Sequence, residues 1–275
     1  MSNNKIKICV KGSRKTGQIF FRETKYLATI SDCIEIDFNY PHDSHFEKEI
    51  KYLKKLRNEN KINFTVHAQY LSGSLNDFNE KIRQETVRQV LKSIDQAAAI
   101  GVKIITLHPA LEPYGLKTEK RKELELISYQ EIARYAAKKK IKVGLENEAQ
   151  TCFWFPDRAC LINQLIETIK KVNRKNFGLT LDIGHANVTG EDYLAAIKRH
   201  SDIIFHIHAH DNIGAAEKNI AKFKRPDPHL SPGKGDIDWK MVIATLHKSC
   251  FKGYFELECE IKDLEEAIKY IRSFN

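Results

Sequence analysis

The sequence predicts a single-domain α/β protein, a (β/α)8 TIM barrel over residues 1–275, and three observations carry that prediction. Eight short β-rich runs alternate with longer stretches of helical spacing, the pattern of parallel strands joined by crossover helices. The length of 275 residues suits one such barrel, which needs about 250. No Ser/Gly-rich linker divides the chain, and Lys11-Gly12-Ser13 is not the Gly-rich phosphate turn that a doubly wound open sheet would carry after an early strand.

The first strand is read at Lys5–Val10, and the connection over 11–30 carries the weakest helical pattern. A second strand at Cys33–Phe38 leads to Glu47–Asn58, where Ile50, Leu53 and Leu56 recur at helical spacing. Phe64–His67 leads to a helix bearing Ile82, Val87, Val90, Leu91 and Ile94 before Gly101. Strands at Ile104–His108, Lys142–Glu146, Phe177–Asp182, Ile203–His208 and Gly253–Glu258 precede helices at Glu123–Lys139, Arg158–Val172, Tyr193–His200, Trp239–Lys248 and Asp263–Phe274.

With 42% hydrophobic and 29% charged residues the composition is that of a globular protein, which excludes wholesale disorder. No apolar run approaches the ~18 residues of a membrane span, so no membrane partner is expected. Met1–Lys7 is polar and lacks an apolar signal core. The cysteines at 9, 33, 152, 160, 250 and 259 form no C-x-x-C pair and read as buried reduced thiols of a cytoplasmic protein.

Active sites of such barrels lie where strands end. His67, His108, Glu146, Asp182, His208 and Glu258 stand at six consecutive strand ends, with His185 one helical turn beyond Asp182 and Asp227 and His229 in the loop after the seventh strand. A lone His or Asp after a strand is more often a cap or a hydrogen-bonded core residue. Six at one mouth cost several kcal/mol per unpaired charge, which a bound divalent cation offsets. Mixed imidazole and carboxylate donors suit zinc, manganese or iron better than calcium, with zinc preferred. Alternation puts His206 and His210 on the face of His208, and Glu256 on that of Glu258, so the choice within each set stays open.

These motifs, in this order over roughly residues 30–260, resemble the xylose-isomerase-like TIM barrels, which include endonuclease IV (AP endonuclease family 2) and the sugar isomerases and epimerases. Similarity to the epimerases implies one metal held by Glu146, Asp182, His208 and Glu258, with Glu146 and Glu258 as the catalytic pair that moves the proton beside a carbonyl. Similarity to endonuclease IV implies up to three metals. His67, His108 and Glu146 would hold one, Glu146 would bridge to a second held also by Asp182, His208 and Glu258, and His185, Asp227 and His229 would hold the third. The full set of nine makes hydrolysis of a phosphoester the main reading, with abasic-site DNA as the reference substrate and a metal activating water. A sugar or sugar-phosphate isomerase or epimerase with a single metal is the alternative, and a non-catalytic barrel that binds metal or nucleic acid is a third. The Gly-Ala-His-Val-Ser opening of endonuclease IV is absent from Ile6–Ser13, and its Gly-rich loop is replaced by Glu148–Pro156. Asp182–Asn187 and Ser231–Trp239 look closer to the sugar phosphate isomerase/epimerase relatives.

The net charge of +9 favours an anionic partner. On the barrel plan Lys138–Lys140, Lys170-Lys171 and Arg174-Lys175 fall on the far face. Near the mouth stand Lys11, Arg14 and Lys15, and a second group of Lys218, Lys222, Lys224 and Arg225. The loop 209–238 carries as many acids as bases, Asp211, Asp236 and Asp238 among them, so the mouth suits one or two phosphates of a sugar phosphate or damaged DNA rather than a long duplex. Lys11, Lys224, Arg225, Tyr70 and Arg83 are the candidate substrate contacts. Tyr70 matches a tyrosine of the endonuclease pattern or is a packing residue, and Arg83 either reaches a substrate anion or pairs with Glu80. Phe153-Trp154-Phe155 reads as a lid or subunit contact, or else as a base-stack wedge. The oligomeric state stays open.

Overall fold

Strict alternation along eight strands sorts one parity of side chains outward and the other inward. β1 (Lys7–Lys11), β2 (Cys33–Asp37), β3 (Asn63–His67), β4 (Ile104–Leu107), β5 (Lys142–Glu146), β6 (Phe177–Asp182), β7 (Ile204–Ala209) and β8 (Tyr254–Leu257) pair in parallel, in chain order, and β8 closes onto β1. The structure, a computed structural model, describes residues 5–37, 46–60, 62–68, 74–110, 119–149, 161–249 and 251–275. The predicted (β/α)8 architecture is the observed one.

Outward residues such as Ile8, Val10, Ile34, Ile36, Leu145 and Leu181 are buried with the apolar faces of the surrounding helices in one core. Those helices are α1 (Gly17–Ile30), α2 (Phe46–Asn60), α3 (Glu80–Ala99), α4 (Glu119–Lys138), α5 (Ile162–Val172), α6 (Ile183–Thr189), α7 (Tyr193–His200), α8 (Ala216–Phe223), α9 (Trp239–Lys248) and α10 (Leu264–Arg272). The inward parity is polar. Cys9 Sγ lies 3.6 Å from Thr65 Oγ1, and Thr106 Oγ1 lies 3.2 Å from Thr180 Oγ1. Barrel interiors are ordinarily filled by Val, Ile and Leu, so the polar lining is particular to this chain. Gly144 fits there because a Cβ would run into the side chain of Thr180. Gly144→Ala is expected to cost about 1–3 kcal/mol through overpacking. The readout is a lower urea midpoint at unchanged slope, and an unchanged midpoint would mean that β5 and β6 can part.

Several boundaries differ from the sequence reading. Within 11–30, the weakest helical pattern, Gly17–Ile30 forms α1, which buries Phe20, Thr24 and Leu27 at four- and three-residue spacing. β4 stops at Leu107 and β8 at Leu257, so His108 and Glu258 sit just beyond their strands. β1 and β7 each run one residue further than expected, to Lys11 and Ala209. α6 (seven residues) and α8 (eight residues) are additions to the sequence reading. Asp182 caps α6, its Oδ1 accepting from the His185 backbone N–H at 2.7 Å.

The long segment after β7 is fastened by Asp211. Its buried carboxylate accepts from the backbone N–H of Gly233 at 2.8 Å and of Ile237 at 3.3 Å, and from Trp239 Nε1 at 2.9 Å. The backbones of Asp211 and Leu230 exchange two hydrogen bonds. Asp211 thereby holds the loop carrying Asp227 and His229 over the barrel mouth. Among the described residues no helix is long and apolar enough to cross a membrane. Cys9, Cys33 and Cys259 are buried free thiols.

Candidate metal centre

The strand-end residues converge as three linked groups, the second made of two triads, and the donor atoms of the first group, of each triad and of the third group lie within 4.8 Å of one another. In the first, Glu146 Oε2 lies 3.3 Å from His67 Nε2 and 3.2 Å from His108 Nε2. The other ring nitrogen of His67 faces the Ala68 carbonyl at 3.2 Å, and that of His108 meets Glu148. Such anchoring of one imidazole nitrogen aims the other at a metal.

The second group joins two triads, Glu146–Asp182–His208 and Asp182–His210–Glu258, through Asp182. His208 Nδ1 is 2.8 Å from Glu146 Oε1 and 3.8 Å from Glu258 Oε1. His210 Nδ1 is 3.6 Å from Asp182 Oδ2 and 3.9 Å from Glu258 Oε2. Lys11 Nζ donates to Glu258 Oε1 at 2.7 Å.

In the third group Asp227 Oδ2 stands 2.9 Å from His210 Nε2, 3.6 Å from His185 Nε2 and 3.8 Å from His229 Nε2. His185 Nδ1 is tied to the Asn147 carbonyl at 2.8 Å, again leaving Nε2 for the cluster. The rings of His210 and His229 stack at 3.7 Å. His229 has φ +48°, a left-handed conformation uncommon for a non-glycine residue, of the kind that gathers at functional sites.

Buried donors and acceptors that find no hydrogen bond cost about 1–3 kcal/mol each. Asp182 Oδ2 and His210 Nδ1 are in that condition. A divalent first-row transition ion supplies the missing partner, so the donor set fits a metal. Without one, burial and the nearby Glu146 and Glu258 push Asp182 up to about 6, against the pull of His185 and His210. Burial alone would discharge His185, yet Asp182, Glu148 and Glu146 hold it up to about 9. Burial opposes the charge of Asp227, but His210, His229 and His185 bring it down to about 2. A metal taking His185 must therefore displace a proton at neutral pH. Affinity at that position is expected to rise about tenfold per pH unit from pH 6 toward 9. Titration of the third group with zinc at pH 6.5 and 8 reads it, and a flat profile would remove His185 from the ligand set.

All nine expected ligands are described and brought together. The alternatives left open at β7 resolve by depth. His206 lies below the mouth, His208 faces Glu146, and His210 joins the groups of Asp182 and Asp227. Glu35, Glu148 and the role of His210 were not anticipated.

Of the expected substrate contacts, Lys11 stays at the site beside a cavity of about 220 Å³ that Glu146 and His229 also line. Arg225 lines a neighbouring groove of about 740 Å³ with Lys11, Arg14 and Lys15. Lys224 caps α8 in a left-handed conformation and its Nζ donates to the Ala221 carbonyl. Arg83 is not brought to the cluster. It is buried, bonded to both carboxylate oxygens of Glu80 and to Ser128 Oγ, and so fastens α3 to α4. Tyr70, Phe153-Trp154-Phe155 and the cysteines at 152, 160 and 250 lie outside the described residues.

Comparison with known proteins agrees with this geometry. An uncharacterized protein of Methanocaldococcus jannaschii is 28% identical over 230 residues, covering 81% of this chain and 72% of its own length. An inosose dehydratase of Geobacillus thermodenitrificans is 23% identical over 253 residues, covering 85% of this chain and 79% of that protein. A crystal structure of a D-tagatose 3-epimerase-like protein superposes with a TM-score of 0.85 at 25% identity, covering 98% of this chain and 97% of that one. The family pattern of the xylose isomerase-like TIM barrels matches residues 28–274, and the chain belongs to that family.

Proposed function

We propose that this protein is a metal-dependent isomerase or epimerase of a small polyhydroxylated carbonyl compound, a sugar or a cyclic ketose. The observation that carries this reading is the pair Glu146 and Glu258, two buried carboxylates that approach His208 Nδ1 to 2.8 and 3.8 Å and both line a 220 Å³ cavity. Similarity to an epimerase-like structure and to an inosose dehydratase supports it, and moves the balance from phosphoester hydrolysis to the reading that the sequence offered as its alternative. Removing a proton next to a carbonyl begins both epimerisation and loss of water.

Glu146, Asp182, His208 and Glu258 would hold a divalent ion, which would supply Lewis-acid chemistry toward the carbonyl. Glu258 takes the proton from the neighbouring carbon. Although burial disfavours its charge, Lys11, His208 and His229 hold it well below the usual carboxylate range, so it is ionised and ready to accept. On the other face Glu146, which despite its burial His208 and His108 hold ionised, relays a proton from His108, whose Nε2 lies 3.2 Å away and whose charge, opposed by burial, Glu148 and Glu146 sustain.

The test is incubation of the zinc, manganese or iron protein with ketoses and inososes in deuterium oxide. Nuclear magnetic resonance reads deuterium entering at the carbon next to the carbonyl. Exchange with no substrate, in any metal form, would sink the reading.

One observation favours a second reading. His185, Asp227 and His229 complete the nine-ligand set of a three-metal phosphoester hydrolase. Cleavage of an abasic-site duplex that is lost in Asp227→Ala would select it. Sugar turnover that falls far more in Glu258→Gln than in Asp227→Ala would select the first.

A further inference from the structure

We propose a second, deeper metal site inside the barrel, held by Glu35, His206 and Glu256 and sharing His208 with the mouth. Their donor atoms lie within 4.8 Å of one another and all four residues are buried. His206 Nε2 is 3.0 Å from Glu256 Oε2 and 3.3 Å from Glu35 Oε2. His208 Nε2 is 3.3 Å from Glu256 Oε2 and 3.5 Å from Glu35 Oε1. Ligands placed tetrahedrally about 2.0–2.1 Å from an ion are separated by about 3.3–3.4 Å, and with Glu35 Oε2 and Glu256 Oε2 as the donors the three spacings of 3.0, 3.3 and 3.3 Å are close to edges of such a tetrahedron.

Charge and hydrogen bonding point the same way. Two carboxylates face each other inside the barrel, and among the described residues neither forms an ion pair with a Lys or Arg. Glu35 Oε2, Glu256 Oε1 and His208 Nε2 are fully enclosed and make no hydrogen bond. An uncompensated buried carboxylate costs several kcal/mol, and a cation between the two removes that cost. Two imidazoles and two carboxylates select a divalent first-row transition ion over calcium or magnesium.

His208 presents Nδ1 to Glu146 in the mouth cluster and Nε2 to this deeper group, so one ring serves both. Entry is from above, because Glu35 lines the 220 Å³ mouth cavity. The site does not depend on the sugar chemistry proposed for the mouth.

The test is titration of metal-free protein with cobalt(II), followed by visible absorption of tetrahedral cobalt and by elemental mass spectrometry. Glu256→Gln, nearly isosteric, and His206→Asn are each expected to bind one cobalt fewer per chain than the parent. Asp182→Asn, altered in the mouth, is expected to keep the deep ion and its absorption. Equal cobalt counts in the parent and Glu256→Gln would overturn the proposal and leave Glu35–His206–Glu256 as a protonated ion triad. If the variants do not fold, as circular dichroism would show, anomalous scattering from cobalt-soaked crystals of the parent decides. A peak between Glu35, His206 and Glu256 supports the site, and a blank there overturns it.

Discussion

Glu258→Gln is expected to lower ketose turnover by about 10²–10⁴-fold while the Michaelis constant changes little. Glu258 follows β8 in a buried position, with Lys11 Nζ at 2.7 Å and His229 Nδ1 3.6 Å from its second oxygen. Gln keeps the volume and a carbonyl oxygen for Lys11, but it cannot take a proton from carbon. Turnover and deuterium wash-in should therefore fall together. Because Glu258 is also a candidate ligand, the assay is run with excess metal and the bound metal is counted, which separates a lost base from a lost ion. Glu258→Asp restores the carboxylate at a shorter reach and is expected to recover part of the rate. Turnover of Glu258→Gln within threefold of the parent, at equal metal content, would show that the proton moves elsewhere.

The sequence makes the barrel and the mouth residues legible because both follow from one periodicity. Alternation by two puts Glu146, Asp182 and His208 on the inward parity near the top of β5, β6 and β7, where chain order also places the active-site face. The same rule, taken two residues earlier along β6, β7 and β8, gives Thr180, His206 and Glu256, and on β2 it gives Glu35. The signal for the deep group was thus present as polar residues alternating with Ile, Leu and Phe. His206 and Glu256 entered only as alternatives to His208 and Glu258, and Glu35 was passed over, because strand interiors are expected to be apolar. Register was less accessible. His206, His208 and His210 share a face, and only depth in the folded barrel assigns His208 to Glu146 and His210 to Asp227. Arg83 shows the opposite limit. A cation near the start of a helix suggests an anion site, yet Glu80 one turn earlier and Ser128 on α4 already satisfy it.

Asp182→Asn is expected to stabilise the metal-free protein and weaken the metal-bound one. In the metal-free state burial, with Glu146 and Glu258 close by, pushes Asp182 up to about 6 from an ordinary value of 3.8. A folded value above the unfolded one favours folding of the protonated group, so its contribution is fully present below about pH 4 and is lost as pH rises through 6. Ionised Asp182 then costs on the order of 3 kcal/mol at pH 7. Asn carries no charge and keeps the oxygen that accepts from the His185 backbone N–H. Metal-free Asp182→Asn should consequently melt about 5–12 °C above the metal-free parent at pH 7, and no higher than it at pH 4. Saturating metal reverses the order, because stabilisation by a ligand grows with the logarithm of its concentration over Kd and the variant, lacking a charged ligand, binds more weakly. Calorimetry of both proteins, stripped and reloaded, at pH 4 and 7 reads all four comparisons. A metal-free variant less stable than its parent at pH 7 would mean that Asp182 is held chiefly by His185 and His210 as an ion pair, and that the cluster balances its own charge without a cation.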